Sequence, residues 1–312
     1  MKHTTAKISV LTMPLLLASI ACAQAFTYNQ SFDALPTTGA ATDITGTGAL
    51  TNQGALVAIS TTGAAWQAAR ILGSGTTAVK LTVDTGIGNS GSIFSYGATA
   101  STNRSLGSLA SGTTAPAFGV GLTNATGSVL GTVTITFKAQ QWRSPSNSTA
   151  TSLGVVNTLT FAYGLSSSGI TNDKFLSAAT MVKDVNGNVV SNPTSGTTTA
   201  TVGLVELSTN TVTLTGLTWN NGDVLYLRWQ DVNDAANDAG LAIDDLAITA
   251  DVASANTCPS DLDGSRNVDS GDVSLVLLDV GPCQGCTSDL DGSGDVDSGD
   301  VSMVLLDSGP CP

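Results

Sequence analysis

The sequence predicts a mostly β chain: a jelly-roll-like β-sandwich followed by a small α-helical domain made of two loop–helix repeats. Three observations carry this. No helical period of useful length runs between Phe26 and Asp251. Short segments there alternate apolar and polar residues between clusters of turn residues, the pattern of half-buried strands. The final stretch, 258–312, is one unit written twice: CPSDLDGSRNVDSGDVSLVLLDVGPC from Cys258 and CTSDLDGSGDVDSGDVSMVLLDSGPC from Cys286, at a constant offset of 28 residues. A unit this small cannot bury its apolar face alone, so duplication implies a pair that packs together.

In chain order, Lys2 and Lys7 precede a short apolar run, Ile8 to Ile20, and Ala23-Gln24-Ala25 supplies an A-x-A cleavage pattern. Residues 1–25 therefore read as a signal peptide, with an apolar run too short to anchor in a membrane. A secreted, extracellular chain beginning at Phe26 is the expectation. The body, 26–250, holds its clearest strands at Thr132–Lys138 (Val133, Ile135 and Phe137 on one face), at Leu159, Phe161 and Tyr163, at Val212 and Leu214, and at Leu225, Leu227 and Trp229. Weaker strands are expected at Phe26–Phe32, Ala55–Ile59, Val79–Val83 and Phe118–Leu122. The segments 144–151 and 191–201 read as long polar loops, and GIGNSG at 86–91 opens no helix and reads as a turn. In YLRWQDVNDAANDAGLAIDDLAIT (226–249) the apolar parity changes between Leu241/Ile243 and Leu246/Ile248. One residue must be absorbed near Asp244-Asp245, most simply by a β-bulge. That region reads either as an Asx-rich hairpin with solvated acids or as a third calcium site at Asp244 and Asp245. Residues 251–257 are the expected linker.

The chemistry of the duplicated tail follows from its spacing. A 12-residue calcium loop takes oxygens from positions 1, 3 and 5, a backbone carbonyl from 7, a water held by 9 and a carboxylate from 12. Those positions are Asp261, Asp263, Ser265, Asn267, Asp269 and Asp272 in the first repeat. In the second they are Asp289, Asp291, Ser293, Asp295, Asp297 and Asp300. Two calcium ions are the implied cofactors. Val268 and Val296, at position 8, are expected to turn inward. Each apolar run that follows reads as a short helix, with Val273, Val276 and Leu277, or Val301, Val304 and Leu305, on one face. Arg266 occupies position 6, where a sharp turn favours glycine.

A loop followed by a helix with no entering helix, duplicated, with Asp at position 12, resembles the type I dockerins. The resemblance covers 258–312 and implies a calcium-folded module that plugs a secreted, polysaccharide-handling protein into a cohesin-like partner domain. At positions 10 and 11, where the family makes much of its cohesin contact, this chain carries Ser270-Gly271 and Ser298-Gly299, and its helices lack the family's Lys/Arg. A thrombospondin-like calcium repeat is the alternative and lacks the apolar helix. The body is similar to a β-sandwich module of secreted bacterial proteins through RSLGSLASG (104–112), AQQWR (139–143) and LRWQDVNDAANDAGLAIDD (227–245). Removal of the leader takes Cys22 with it and leaves Cys258, Cys283, Cys286 and Cys311, an even set that suits two disulfides in an exported protein. Cys258–Cys311 with Cys283–Cys286 is favoured, because paired loops with antiparallel helices bring the chain ends together; pairing within each repeat is the rival.

Composition bounds the rest. Eleven Lys and Arg stand against 24 acids, a formal net charge of −13, which disfavours nucleic acid and anionic lipid as partners. The single histidine, His3, lies in the leader, so a mature chain has no Ser-His-Asp, Cys-His or His-zinc chemistry. A glycoside hydrolase needs two carboxylates across a cleft, and Asp84, Asp173, Asp184, Glu206, Asp223, Asp244 and Asp245 are the candidates. Binding is the more economical activity. Trp142, beside Arg143 at a strand end, leads as a carbohydrate-binding residue, followed by Trp66 and Trp219, with core packing the alternative for each and for Trp229. The reading is a secreted non-catalytic accessory protein whose sandwich binds polysaccharide or is displayed at the surface, with a dockerin-bearing glycoside hydrolase or a structural extracellular protein as alternatives.

Overall fold

The computed structural model describes residues 24–44, 53–76, 79–146, 156–183, 190–191, 199–234, 237–253, 258–283 and 285–311. They form two compact units, Met1–Val252 and Ala253–Pro312. Of the expected leader, residues 1–23 lie outside the described residues, whereas Gln24 and Ala25 open the first strand, Gln24–Gln30. Asp251 and Val252 of the expected linker continue the last strand of the sandwich, and 254–257 lie outside the described residues.

The body is a jelly-roll-like β-sandwich. One sheet runs Val202–Leu214, Leu130–Arg143, Gly240–Val252, Ser105–Leu109, Ser92–Tyr96, Lys80–Asp84 and Thr42–Asp43, with Gln24–Gln30 also on Gly240–Val252. The facing sheet runs Val182–Lys183, Thr158–Leu165, Val224–Asp231, Ala115–Thr123, Ala64–Leu72 and Gly54–Ala55, with Val190–Ser191 also on Thr158–Leu165. Among the described residues, strand pairing is antiparallel except between Lys80–Asp84 and Ser92–Tyr96. Alternation decides which residues face inward: Val133, Ile135, Phe137, Leu159, Phe161, Leu225, Leu227 and Trp229 are all buried. Trp229 sits at the centre, with Phe137 edge-on at 5.5 Å and Phe161 tilted at 5.2 Å.

Two departures have local causes. The expected strand at Ala55–Ile59 is mostly a 3-10 turn, Val57–Ile59, leaving Gly54–Ala55 as a two-residue edge. The strands Ala64–Leu72, Ser92–Tyr96 and Ser105–Leu109 carry no alternation to read, because the last two are buried on both faces throughout and the first over its middle, Trp66–Arg70, and all are built from Ala, Ser and Gly as much as from β-branched residues. The turn at 86–91 is held by Asp84, whose Oδ1 accepts the N–H groups of Gly86 (2.5 Å) and Gly88 (3.2 Å).

The bulge at Asp244-Asp245 is where the sheet changes partners. Leu241–Ile243 pair with Leu106–Ser108, while Leu246–Asp251 pair with the first strand, and the register on Leu130–Arg143 shifts between Asp244 and Ala247. Asp245 takes a left-handed φ of 45°, which absorbs the extra residue and keeps Leu241, Ile243, Leu246 and Ile248 all inward.

In the tail, helix α1 spans Ser270–Leu278 and helix α2 spans Ser298–Leu306. Each starts at a capping box: Asp269 and Asp272, or Asp297 and Asp300, bond each other's backbone N–H groups. Val268, Val276, Val296 and Val304 form the core, so the position-8 valines do turn inward. Leu277 and Leu305, expected on the buried face, are instead exposed; the inward places on each helix go to Asp272 with Val276 and to Asp300 with Val304. The two repeats clasp each other symmetrically. Asn267–Val268 pairs with Gly309–Pro310, and Gly281–Pro282 with Asp295–Val296. Ser260 Oγ donates to Asp307 and Ser288 Oγ donates to Asp279, each at 2.5 Å, so a buried hydroxyl of one repeat holds the helix-terminal carboxylate of the other. Disulfides join Cys258 to Cys311 and Cys283 to Cys286.

Candidate metal centres

Each tail loop is wound around its own carboxylates. In the first, Asp261 Oδ2 accepts the Arg266 N–H (3.0 Å) and Asp263 Oδ1 accepts that of Ser265 (2.9 Å). In the second, Asp289 Oδ2 accepts from Gly294 (2.9 Å) and Asp291 Oδ1 from Ser293 (2.9 Å). The position-12 carboxylates tie the helix back to the loop. Asp272 Oδ1 accepts from Leu262 (2.7 Å) and Asp263 (3.1 Å), and Asp300 Oδ1 from Leu290 (2.7 Å) and Asp291 (3.3 Å). For Asp272, burial alone pushes the carboxyl up, but the backbone donors together hold it below its ordinary value; for Asp300 the Asp297 N–H leads in the same direction. Both groups stay ionised.

The result is two triads, Asp261–Asp263–Asp272 and Asp289–Asp291–Asp300, with one oxygen of each residue within 4.8 Å of the others. Like charges about 4 Å apart repel by roughly 4 kcal/mol per pair near a protein surface, so each triad favours a divalent cation. Asp261 Oδ1 is buried and has no hydrogen-bond partner among the described residues, as a ligand oxygen reserved for an ion would be. The remaining donors are oxygens: Ser265 Oγ lies 3.0 Å from the Asn267 carbonyl and Ser293 Oγ 2.9 Å from that of Asp295. Asp269 and Asp297 serve as helix N-caps, accepting from Gly271 (2.7 Å) and Gly299 (2.6 Å). An all-oxygen set of this kind fits a hard cation. The two loops are not equal. Arg266 takes a φ of 66° where Gly294 takes 91°, and a side chain in that region costs about 1 kcal/mol or more.

Asp244 and Asp245, read from the sequence either as solvated acids or as a third cation site, both have partners within the sandwich. Lys138 Nζ lies 2.6 Å from Asp245, while Asp244 is buried and accepts from Gln140 Nε2 at 3.2 Å. Two of the neighbouring acids are buried as well: Asp231 accepts from Ser108 Oγ at 2.7 Å, and Asp238 accepts the Asp234 N–H at 2.8 Å, while Asp234 itself is half-buried. Burial pushes the Asp244 carboxyl up to about 7, with the nearby charges of Asp245 and Asp33 adding to it. Between its ordinary 3.8 and about 7 the folded state holds a proton there that the unfolded chain has lost, so this group makes the sandwich less stable as pH rises through that window. Asp244→Asn should therefore raise sandwich stability at pH 8 by about 1–2 kcal/mol after allowance for solvent screening, and leave it unchanged at pH 4. Thermal melts at the two pH values check this; an equal effect at both would point to packing instead.

Of the carboxylates considered for hydrolysis, Glu206 and Asp244 come together, both accepting from Gln140 Nε2 (3.0 and 3.2 Å). Asp173 accepts from Thr171 Oγ, Asp223 from Asn220 Nδ2, and Asp184 lies outside the described residues. The indoles separate. Trp66 and Trp219 are 0% exposed and belong to the core between the sheets, Trp66 donating to Tyr28 Oη (2.7 Å) and Trp219 to the Asp223 carbonyl (2.9 Å), so neither offers a ring to a sugar. Trp229 is likewise core. Trp142 lies apart from them in a small cluster with Phe94, Tyr96, Leu109 and Ala242, 6% exposed.

No family model matches the chain, and no curated protein matches it. Among solved structures it is similar to TmCBM61 in complex with β-1,4-galactotriose, at 10% identity over 47% of this chain and 70% of that one, with a TM-score of 0.21. It is also similar to the CBM22-1 xylan-binding domain of Paenibacillus barcinonensis Xyn10C, at 12% identity over 53% of this chain and 82% of that one, with a TM-score of 0.23.

Proposed function

We propose that this is an exported accessory protein whose tail binds two calcium ions and docks to a cohesin-like partner, while its sandwich engages polysaccharide. The observation that carries the docking half is the doubled carboxylate triad, set in two loops that clasp each other with the same contacts in both directions. Asp261, Asp263, Ser265, the Asn267 carbonyl and Asp272 would hold the first ion, with Asp269 through water; Asp289, Asp291, Ser293, the Asp295 carbonyl, Asp300 and Asp297 would hold the second. The ions supply charge neutralisation that lets two acidic loops close. Export is supported by the leader pattern and by two disulfides, which persist in oxidising compartments. Among the described residues no helix is long and apolar enough to cross a membrane.

The same symmetry places equivalent leucines outside. Leu278 is 80% exposed and Leu306 84%, with Leu277 and Leu305 beside them. Large side chains left in water at matching points of both helices suit a protein partner's apolar surface. Each helix presents the same pair, so a partner lost only when both are altered is expected. Leu277→Glu/Leu278→Glu/Leu305→Glu/Leu306→Glu should abolish calcium-dependent retention on immobilised cohesin domains, with calcium titration unchanged. Retention equal to wild type would reject these helices as the docking face.

A further inference from the structure

The outer face of the larger sheet carries a strip of stacked rings. Phe94 lies on Tyr96 (4.9 Å, 19°) and Tyr96 on Trp142 (5.7 Å, 4°). Small residues make this possible: a Cβ on Gly240 would meet the Tyr96 hydroxyl at 2.5 Å, and one on Gly107 would meet the Tyr96 ring at 2.8 Å. The Trp142 indole is held still, its Nε1 donating to Ser105 Oγ (2.9 Å) and Gln140 Oε1 (3.0 Å). Over Trp142 and Gln140 opens a cavity of about 500 Å³, walled by Thr85, Thr99, Ser101 and Asn103. That volume falls in the range of small-ligand pockets, about 300–1,000 Å³.

We propose that this cavity is the saccharide site of the sandwich and that it takes a neutral sugar, one or two pyranose rings of a glycan. This rests on the polysaccharide half of the reading above. Phe94 and Tyr96 are buried and back Trp142, which is the ring of the stack found among the residues walling the cavity; 6% exposed, it offers a small, immobilised part of its indole to the apolar side of a pyranose without ordering cost on the protein side. The side chains of Thr85, Thr99 and Asn103 make no hydrogen bond with another described residue and stand at the wall, where ring hydroxyls need partners. Among the described residues that line the cavity none is charged, and the Gln140 amide at its wall donates to Glu206 and Asp244. The charge of Glu206 repels anions, so a uronic-acid polymer is disfavoured.

The test is calorimetric titration of the full chain, in calcium, with cello-, manno-, xylo- and galacto-oligosaccharides and with oligogalacturonate. One or more neutral series should bind and oligogalacturonate should not. Ala98→Trp, which fills the cavity from its exposed wall, should weaken binding at least tenfold. Asn103→Ala should weaken it about fivefold, the loss of one hydrogen bond. Both variants should melt as wild type does. Wild-type binding retained in Ala98→Trp would overturn the site while leaving the polysaccharide reading intact. Preference for oligogalacturonate would overturn the neutral-sugar assignment. Absence of binding to all of these and to insoluble polysaccharides would overturn the site and the reading together.

Discussion

Asp289→Ala with Asp300→Ala should remove one of the two proposed calcium sites outright and abolish calcium-induced helix in the second repeat. Two of the three carboxylates of that triad disappear, and the site left behind has neither the charge nor the oxygen count that a hard cation needs. Asp300 also does structural work. Its Oδ2 accepts the Asp297 N–H at 2.8 Å to complete the capping box, and its Oδ1 takes two loop N–H groups. Alanine leaves those donors unpaired at roughly 1–3 kcal/mol for a buried group. Chelation of the wild-type chain separates the two effects, because it removes the ion and leaves the carboxylates. With three acids converging in each loop, chelated protein should lose the helices α1 and α2 from its far-ultraviolet dichroism while the sandwich signal persists. Calorimetry of the double variant showing two unchanged sites would reject the ligand assignment.

Loss of the Cys258–Cys311 disulfide should destabilise the tail by about 4 kcal/mol, as expected from closing a loop of 53 residues. The Cys283–Cys286 bridge spans three residues and should contribute about half as much. Position reinforces the difference: Cys258 is buried beside Val268, Val276, Val296 and Val304, so its bridge also closes the core over which the two repeats meet. Cys258→Ala/Cys311→Ala should lower the calcium-loaded melting transition of the tail far more than Cys283→Ala/Cys286→Ala, with the sandwich transition unmoved in both. Equal shifts in the two variants would show that chain entropy is not what this bridge supplies.

Sequence alone determined the class of both units, because it depends on short-range periodicity. Alternation over Thr132–Lys138 and Leu225–Trp229 identifies inward residues wherever one face of a strand is wet, and the lost parity near Asp244 locates a bulge without knowledge of the partners exchanged there. The tail was legible because metal-ligand spacing is a local property: positions 1, 3 and 12 of one loop must converge, and Asp261, Asp263 and Asp272 do. Tertiary structure decided everything that depends on what a side chain meets across space. It sent Trp66 and Trp219 to the core and kept Trp142 on the outer face, although all three sit in comparable polar–apolar surroundings in the chain. It gave Asp245 a partner in Lys138, more than 100 residues away in sequence, which two adjacent aspartates alone do not reveal. It hid the strands Ser92–Tyr96 and Ser105–Leu109 from periodicity, since a strand covered on both faces has no reason to alternate. And it exposed Leu277 and Leu305, because each tail helix turns inward the carboxylate that closes its loop together with one valine, and the small core is filled by Val268, Val276, Val296, Val304 and Cys258.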